Sequence, residues 1–354
     1  MLEVKFYDTA DDALLKFAVI LSQSNGKWVF CKHKKRDTYE APGGHREADE
    51  DILETAKREL REETGAVKFD IKPICVYSVT GRNRVNRTGE ETFGLLCFAE
   101  IWEFADELES EIEKVVLMDH LPDNWTYPLI QPQLIKKYLQ MEKQSYSRIQ
   151  RAAKQTIEYI KTIIQPGINL LEIRKLCEKK LLELGADSFW YWDVGAFVFA
   201  GEETAVSVSG KQYVTSDRII QKNDIVTIDL SPQAGNIWGD YARTIVIENA
   251  RIIEDIELIE NTEWKRGLQM EEKLHTELLC FATKDTTFEE LYYHMNSYIE
   301  EKGFVNVDFM GNLGHSIVKN KCDRVYIEKR NTIKLGGVEY FTFEPHIALP
   351  NSKY

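Results

Sequence analysis

The chain has 354 residues, of which 43% are hydrophobic and 29% are charged, and its formal net charge is −13. This length favours two domains, and the composition is typical of a globular protein rather than a disordered or fibrous one. The negative charge argues against nucleic acid and anionic membranes as partners. No apolar run reaches the roughly 18 residues of a membrane span, and the six cysteines include no CxxC pair. We therefore predict a cytoplasmic protein in a reducing compartment.

The first elements along the chain predict a β-hairpin followed by a helix. Two apolar stretches flank Asn25-Gly26, a dipeptide that is typical of hairpin turns. After a Gly-rich turn, apolar positions at helical spacing predict a helix over residues 52–64, which Gly65 ends. Strand-like runs recur at IKPICVYSV and TFGLLCFAEIWEF. Residues 130–145 indicate a closing helix that runs into a polar connection.

From residue 146 the pattern becomes more helical. Apolar residues repeat at helical spacing over 149–164, and Pro166-Gly167 ends this segment. A second helix is predicted to end at Gly185. Strand-like DIVTIDLSP and ARTIVIE follow, and then a helical block over 262–302 and short strands. We place the boundary near residue 145, which predicts domains of residues 1–143 and 146–354.

The helix predicted over residues 52–64 carries three glutamates on one face. Glu59, Glu62 and Glu63 stand at positions i, i+3 and i+4, so their carboxylates are neighbours. A hard divalent cation stabilises such clustered negative charge, because Mg²⁺ takes oxygen ligands. The same cation neutralises phosphate and can supply a nucleophilic hydroxide. Taken alone, these residues also fit a solvated, charged helix face.

The residues around this helix extend the pattern. The full set is Gly44, five residues, Glu50, seven residues, and then Arg58-Glu59-Leu60-Arg61-Glu62-Glu63-Thr64-Gly65-Ala66. It meets the Nudix hydrolase signature GX5EX7REUXEEXGU at every position, with the small Ala66 as the final apolar residue. Residues 1–140 therefore resemble this family. The resemblance implies an α/β/α sandwich, with a mixed sheet between helices, that cleaves a diphosphate linkage in a nucleotide-like small molecule.

The resemblance also implies a role for each residue of the motif. The three glutamates would bind one or more Mg²⁺ or Mn²⁺ ions, and Arg58 would orient their carboxylates. Gly43 and Gly44 would shape the loop before the helix, and Glu50 would cap or support that helix. Because the domain is short and has no obvious extra subdomain, a nucleoside triphosphate is the favoured substrate.

Further candidates lie outside the motif. Many Nudix proteins add a downstream carboxylate as a metal ligand or base, and Glu109 and Glu111 are the candidates here, with a solvated loop as the alternative. Four aromatic residues are candidates for stacking on a nucleotide base, although a core role is the simpler interpretation for each of them: Tyr39, Tyr77, Phe93 and Trp125.

Four candidate metal ligands are spread along the second half. Asp229 ends VTIDL, and Asp240 follows eleven residues later in GDYART. His315 lies in GNLGHS, and Glu344 lies in FTFEPH. Two aspartates, a histidine and a glutamate on separate strands or turns suit a pair of divalent metals. Each one alone also has an ordinary structural interpretation.

Together with the preceding helices, these residues resemble the methionine aminopeptidase, prolidase and creatinase family over residues 146–354. The resemblance implies an α+β pita-bread fold of two pseudo-symmetric halves. It also implies a peptide ligand and Mn²⁺, Co²⁺, Zn²⁺ or Fe²⁺ as the ion.

Departures from this family's pattern argue against a complete peptidase site. The family places a fifth ligand, a glutamate, in a late strand, and no acidic residue follows Glu344 here. The stretch AGEETAVSVSGK lacks the family's upstream histidine, and no histidine occurs between His315 and His346. Ser316 also replaces the glycine that follows the metal-binding histidine. A chain that continued beyond Tyr354 would be able to supply the missing glutamate.

The sequence thus predicts a metal-dependent hydrolase of nucleoside di- or triphosphates or nucleotide derivatives, joined to a divergent metallopeptidase-like half. One alternative is a bifunctional protein with an active aminopeptidase of the Met or Xaa-Pro type. Another is a non-catalytic, ligand-binding second half. A homodimer is compatible with the resemblance, because Nudix domains often dimerise.

Overall fold

The computed structural model describes residues 2–82, 86–105 and 112–354. The chain forms two compact units, Met1–Glu142 and Lys143–Tyr354. Within the described ranges, no helix is long and apolar enough to cross a membrane. The candidates Glu109 and Glu111 lie outside the described residues.

A mixed β-sheet with helices on both faces forms the first unit. Its elements are β1 Glu3–Tyr7, β2 Leu15–Ser24, β3 Lys27–His33, β4 Tyr39–Glu40, β5 Gly43–His45, α1 Ile52–Thr64, β6 Ala66–Thr80, β7 Thr92–Phe104 and β8 Ile112–Met118. The strand order is β1-β6-β7-β2-β3-β4, with β5 paired to β2 and β8 paired to β3. Strands β2 and β7 are parallel, whereas β6 and β7 are antiparallel. This arrangement is the predicted sandwich with a mixed sheet.

The predicted hairpin is present between β2 and β3. These strands pair antiparallel, with Ser24 opposite Lys27. The two linking residues, Asn25 and Gly26, have φ angles of 50° and 76°. Tight hairpin turns need this left-handed conformation, and asparagine and glycine adopt it most readily. The local sequence is therefore sufficient to specify this turn.

Helix α1 has the predicted bounds, because both of its ends are capped by the sequence. The Asp51 side chain accepts a hydrogen bond from the Leu53 N–H at the first turn. At the other end, Gly65 has a φ of 69° and donates its N–H to the Arg61 carbonyl. Leu60 is fully buried against the sheet. The glutamates lie on the neighbouring face of the helix.

The next helix is longer than the sequence pattern predicted. Helix α2 covers Gln131–Lys161, so the polar connection expected near residue 145 is wrong. The physical reason is that the segment has no glycine, and its one proline, Pro132, stands at the start, where a helix accepts it. Its first turns bury Leu134 and Ile135 in the first unit's core.

The second unit is built from helices and several small sheets. Its elements after α2 are α3 Leu170–Glu183, β9 Ser188–Phe189, β10 Ala196–Ala200, β11 Asp224–Leu230, β12 Pro232–Ala234, β13 Ile237–Trp238, β14 Tyr241–Glu248, β15 Arg251–Ile253, α4 Thr262–Phe281, α5 Phe288–Glu301, β16 Val305–Asn306, β17 Ser316–Ile317, β18 Tyr340–Phe341 and β19 Ile347–Ala348. The largest sheet has the order β10-β11-β14-β15. Strand β16 pairs with β19, and β17 pairs with β18.

The second unit has one large hydrophobic core in each half of its sequence, together with smaller clusters. In the first, apolar residues of α2 and α3 pack on the four-stranded sheet, as Ile157 and Leu181 show. In the second, Leu274 of α4 and Leu291 of α5 pack together under the later strands. The helical block predicted over 262–302 is two helices, because Thr287 forms a capping box with Glu290 that starts α5. The α+β architecture agrees with the prediction.

Candidate active site and metal centre

The Gly-rich loop of the first unit lies directly against the glutamate face of α1. Strand β5 pairs with β2, which places Gly43 opposite Val19. The Gly43 N–H donates to Glu63 Oε2 at 2.8 Å. A Cβ atom on Gly44 would lie 2.1 Å from Glu59 Oε1. Gly44 can therefore approach Glu59 only because it lacks a side chain, whereas a Cβ atom on Gly43 would meet the Ala18 carbonyl of the neighbouring strand.

Arg58 connects the carboxylates to one another. Its Nε and Nη2 donate to the two oxygens of Glu50 at 2.9 and 3.0 Å. Its Nη1 donates to Glu59 Oε1 at 2.7 Å and to Glu62 Oε2 at 3.3 Å. Nη2 also donates to the His45 carbonyl at 3.0 Å, which ties the loop to the helix. The planar guanidinium group suits this branched arrangement.

Glu50 is held in its ionised form. The hydrogen bonds from Arg58 lower the pKa of Glu50 to about 2, and a hydrogen bond from Thr55 adds to this effect. The Glu47 N–H donates to the same carboxylate at 3.1 Å. Glu50 therefore stabilises the start of α1 and anchors Arg58 at the same time.

The three glutamates of the face differ in exposure. The Glu59 side chain is 12% exposed, and burial raises its pKa, partly offset by Arg58. The Glu62 side chain is 55% exposed and reaches the surface. One guanidinium group therefore faces several carboxylates, and the cluster keeps an excess of negative charge. An all-oxygen donor set with uncompensated charge fits a hard divalent cation such as Mg²⁺.

All four aromatic candidates, including the partly buried Tyr39, pack into or against the cores of the first unit. Tyr77 is 1% exposed. Trp125 meets Phe30 edge-on, with ring centroids 5.3 Å apart. Phe93 packs against Tyr7 at 5.6 Å. Tyr39 is only partly buried.

The second unit brings its four predicted residues together from separate elements. Asp229 lies in β11, Asp240 immediately before β14, His315 immediately before β17, and Glu344 shortly after β18. The ligand atoms of Asp240, His315 and Glu344 lie within 4.8 Å of one another. The Asp229 carboxyl shares a hydrogen bond with Asp240. His315 Nε2 lies 3.5 Å from Asp240 Oδ2.

The carboxylates of this cluster are buried close together, and the charge of Arg324 offsets their repulsion only in part. Burial, with the Glu344 charge added, raises the pKa of Asp229 to about 7 and also raises that of Asp240. Asp229 Oδ1 and Glu344 Oε1 are buried and have no hydrogen-bond partner among the described residues. Burial lowers the pKa of His315. Three carboxylates and one neutral imidazole form a donor set that fits a divalent transition metal.

The imidazole of His315 is held in a suitable orientation. Its Nδ1 lies 3.1 Å from the Ser316 carbonyl, so Nδ1–H donates there and Nε2 remains on the side of Asp240. Trp190 and Tyr326 meet the ring edge-on, with centroids 5.6 and 5.7 Å away. A cavity of about 1500 Å³ adjoins the cluster.

Two histidines that the sequence patterns did not single out, His275 and His346, also line this cavity. His346 Nε2 donates to the Thr204 carbonyl at 2.7 Å. Thr204 belongs to the stretch that lacks the family's upstream histidine. The two residues are 142 positions apart, so no local pattern connects them.

Comparison with known families identifies both units. Residues 144–353, more than half of the chain, match the model of metallopeptidase family M24, so the chain belongs to this family. Residues 14–131 match the model of the NUDIX domain. The chain therefore combines a Nudix domain with an M24 pita-bread domain, as the sequence predicted. Both families depend on divalent metals.

Individual relatives are similar to each part. YtkD of Bacillus subtilis (strain 168), provisionally named an 8-oxo-dGTP diphosphatase, is 33% identical over 110 residues. That match covers 31% of this chain and 65% of the relative. A variant of the Bacillus subtilis pyrophosphohydrolase BsRppH is 25% identical, with a TM-score of 0.34, over 40% of this chain and 90% of that one. Prolidase from Pyrococcus furiosus is 21% identical, with a TM-score of 0.46, over 59% of this chain and 57% of that one.

Proposed function

We propose that the Nudix unit hydrolyses a diphosphate linkage in a nucleoside di- or triphosphate or a related nucleotide, with Mg²⁺ or Mn²⁺ as cofactor. The observation that carries this proposal is the carboxylate face of α1. Glu59 and Glu63 lie against the Gly43-Gly44 loop, and Arg58 bonds to Glu59. The NUDIX match and the similarity to YtkD support the same reaction class.

The residues of the site have separate roles in this reaction. Glu59, Glu62 and Glu63 supply the oxygen ligands, and Arg58 keeps those carboxylates in position. The bound ion would neutralise phosphate charge and lower the pKa of a coordinated water. The net reaction adds one water across the phosphoric anhydride. The water oxygen bonds to one phosphorus, and the bridging oxygen leaves on the other phosphoryl group.

A nucleoside triphosphate is the substrate class that we propose to test first. The similar protein YtkD is named for 8-oxo-dGTP, which is an oxidised nucleoside triphosphate. The sequence also predicts a short Nudix domain. All four aromatic candidates pack against the cores of the Nudix unit, so the structure singles out none of them as a base-stacking residue. Nucleotide sugars and dinucleotides are the competing classes.

Turnover of a substrate panel by wild type and Glu62→Gln tests this proposal. The panel contains nucleoside triphosphates, 8-oxo-dGTP, nucleotide sugars and dinucleotides, with Mg²⁺ present. Glu62→Gln removes a ligand charge from a side chain that is 55% exposed, so folding should be unaffected. Glu54→Gln is the matched control, because Glu54 is on the same helix, its side chain is 57% exposed, and it forms an ion pair with Lys57.

The outcomes are distinct. We expect Glu62→Gln to lose turnover by about 100-fold or more, while Glu54→Gln keeps it. Equal activity of the two variants would remove the glutamate face from the mechanism. A wild type without turnover on every compound, but with bound Mn²⁺, would replace the proposed hydrolase with a binding role.

For the M24 unit, we propose a metal-dependent ligand-binding role, with a bifunctional hydrolase and aminopeptidase as the alternative. Asp229 Oδ1 and Glu344 Oε1, which are buried and have no hydrogen-bond partner among the described residues, favour metal binding. The missing histidine in the stretch 200–211 argues against an efficient peptidase. Metal analysis separates the two, because two tightly bound ions in this unit, together with cleavage of Met or Xaa-Pro peptides, would establish the alternative.

Two further expectations, a reducing compartment and a homodimer, remain proposals. Six free cysteines support a reducing compartment. A homodimer is tested by light scattering of the purified chain, and a mass near 41.1 kDa would exclude it.

A further inference from the structure

Gln131 is a buried polar residue in an otherwise apolar core. It is the first residue of α2 and is 3% exposed. Its neighbours Leu134 and Ile135 belong to the hydrophobic core on this face of the sheet. Burying a carboxamide is costly unless its hydrogen bonds are made. The bonds that Gln131 makes therefore indicate why a polar side chain stands here.

The Gln131 side chain satisfies both polar backbone groups of Ala41. The Ala41 N–H donates to Gln131 Oε1 at 3.1 Å. Gln131 Nε2 donates back to the Ala41 carbonyl at 3.3 Å. Within the described part of the chain, these are the only hydrogen bonds that Ala41 makes. The carboxamide thus takes the place of a neighbouring strand at this one residue.

Ala41 begins the loop that contacts the catalytic carboxylates. One residue later, the Pro42 carbonyl accepts from the Ile20 N–H at 2.8 Å. The next residue, Gly43, donates its N–H to Glu63 Oε2. Strand β2 therefore holds one side of the loop, and Gln131 holds the other. The position of the Gly43 N–H depends on both.

We propose that Gln131 is a positioning residue of the diphosphate-hydrolysis site, which fixes the Gly43-Gly44 loop against Glu63 and Glu59. The inference rests on the proposed function for its kinetic consequence. Its metal-binding consequence does not depend on turnover. Gln131 touches neither carboxylate, so it acts through Ala41 and the two glycines.

Replacing Gln131 by methionine is the first test. Methionine is of similar length but leaves the Ala41 N–H and carbonyl buried without partners, so the loop should shift to find new ones. We expect kcat and Mn²⁺ affinity to fall by about 10- to 100-fold, the range for residues that orient metal ligands. KM should change little. Gln133→Met is the matched control, because Gln133 is exposed in the same turn and its side chain donates to the Leu129 carbonyl rather than to the loop.

Replacing Gln131 by glutamate provides a second, independent readout. A protonated carboxyl group can accept from the Ala41 N–H and donate to its carbonyl, whereas a carboxylate can only accept. The activity of Gln131→Glu relative to wild type should therefore rise as the pH falls. This variant keeps the test decisive even if Gln131→Met fails to fold.

The experiment is the measurement of kcat, KM and Mn²⁺ affinity, the last by electron paramagnetic resonance, for all four proteins. A folded Gln131→Met with wild-type kcat and Mn²⁺ affinity would overturn the inference, as would a pH-independent activity ratio for Gln131→Glu. If wild type shows no turnover on any substrate, the proposed function fails. The Mn²⁺ affinities alone then decide the role of Gln131.

Discussion

A methyl group added at Gly44 would push directly on a candidate metal ligand. In Gly44→Ala, the new Cβ would lie 2.1 Å from Glu59 Oε1 and 2.2 Å from Glu59 Cδ. Gly44 is not among the residues with positive φ, so its backbone accepts alanine, and the clash is with the carboxylate. Ordinary contact begins near 3.4 Å, so the carboxylate must move by roughly 1.3 Å.

Glu59 has little freedom to make that movement. Its side chain is 12% exposed, and its Oε1 accepts a hydrogen bond from Arg58 Nη1 at 2.7 Å. A displacement of about 1 Å at a reacting centre costs roughly 100-fold in rate. We therefore expect kcat/KM of Gly44→Ala to fall by about this factor, and Mn²⁺ affinity to fall as well.

Steady-state hydrolysis of the best panel substrate, together with Mn²⁺ titration, checks this prediction. Gly267→Ala is the control, because a Cβ on Gly267 meets nothing within 4 Å and this helical residue lies in the other unit. Circular dichroism melting shows whether the fold is kept. A folded Gly44→Ala with activity and metal affinity within about threefold of wild type would refute the steric reasoning.

Three further predictions concern charged groups. The pKa of Glu50 is about 2 when folded, against 4.5 ordinarily, so its stabilisation is complete above pH 4.5 and is lost as the pH falls towards 2. The free energy of unfolding, measured by urea titration from pH 2 to 6, should therefore depend less on pH for Glu50→Gln than for wild type. Asp240→Asn should raise the melting temperature in EDTA, because it relieves clustered buried charge, and should abolish the upward shift that Mn²⁺ gives wild type; scanning fluorimetry in both buffers checks this. Burial raises the pKa of Glu271 to about 8, so the native state retains that proton and wild-type stability should fall between pH 4.5 and 8; a stability difference between wild type and Glu271→Gln that stays constant across this window would contradict the prediction.

The glutamate face is the part of the protein that the sequence determined most completely. The spacing of Glu59, Glu62 and Glu63 fixes their common face as soon as the segment is helical. Asp51 and Gly65 set the ends of that helix by local hydrogen bonds. The turn at Asn25 is equally local. Interactions between residues a few positions apart need no tertiary information, so the sequence predicts them correctly.

The length of α2 shows where local patterns were insufficient. Its polar middle resembles a connection, because the amphipathic stripe is interrupted between Tyr138 and Ile149. The helix nevertheless continues, since no residue between Pro132 and Lys161 breaks it. The end of a helix is therefore decided by breakers and caps more than by a gap in its apolar pattern.

The sequence by itself determined both families, the motif residues and the four candidate ligands of the M24 unit. Only the tertiary structure decided which distant groups meet. Gln131 reaches Ala41 across 90 residues, and His346 reaches Thr204 across 142. The burial that raises the pKa of Asp229 and leaves its Oδ1 without a partner is also a property of the packed unit. Such contacts depend on how strands and helices pack in space, and the spacing of neighbouring residues does not show which distant groups the packing brings together.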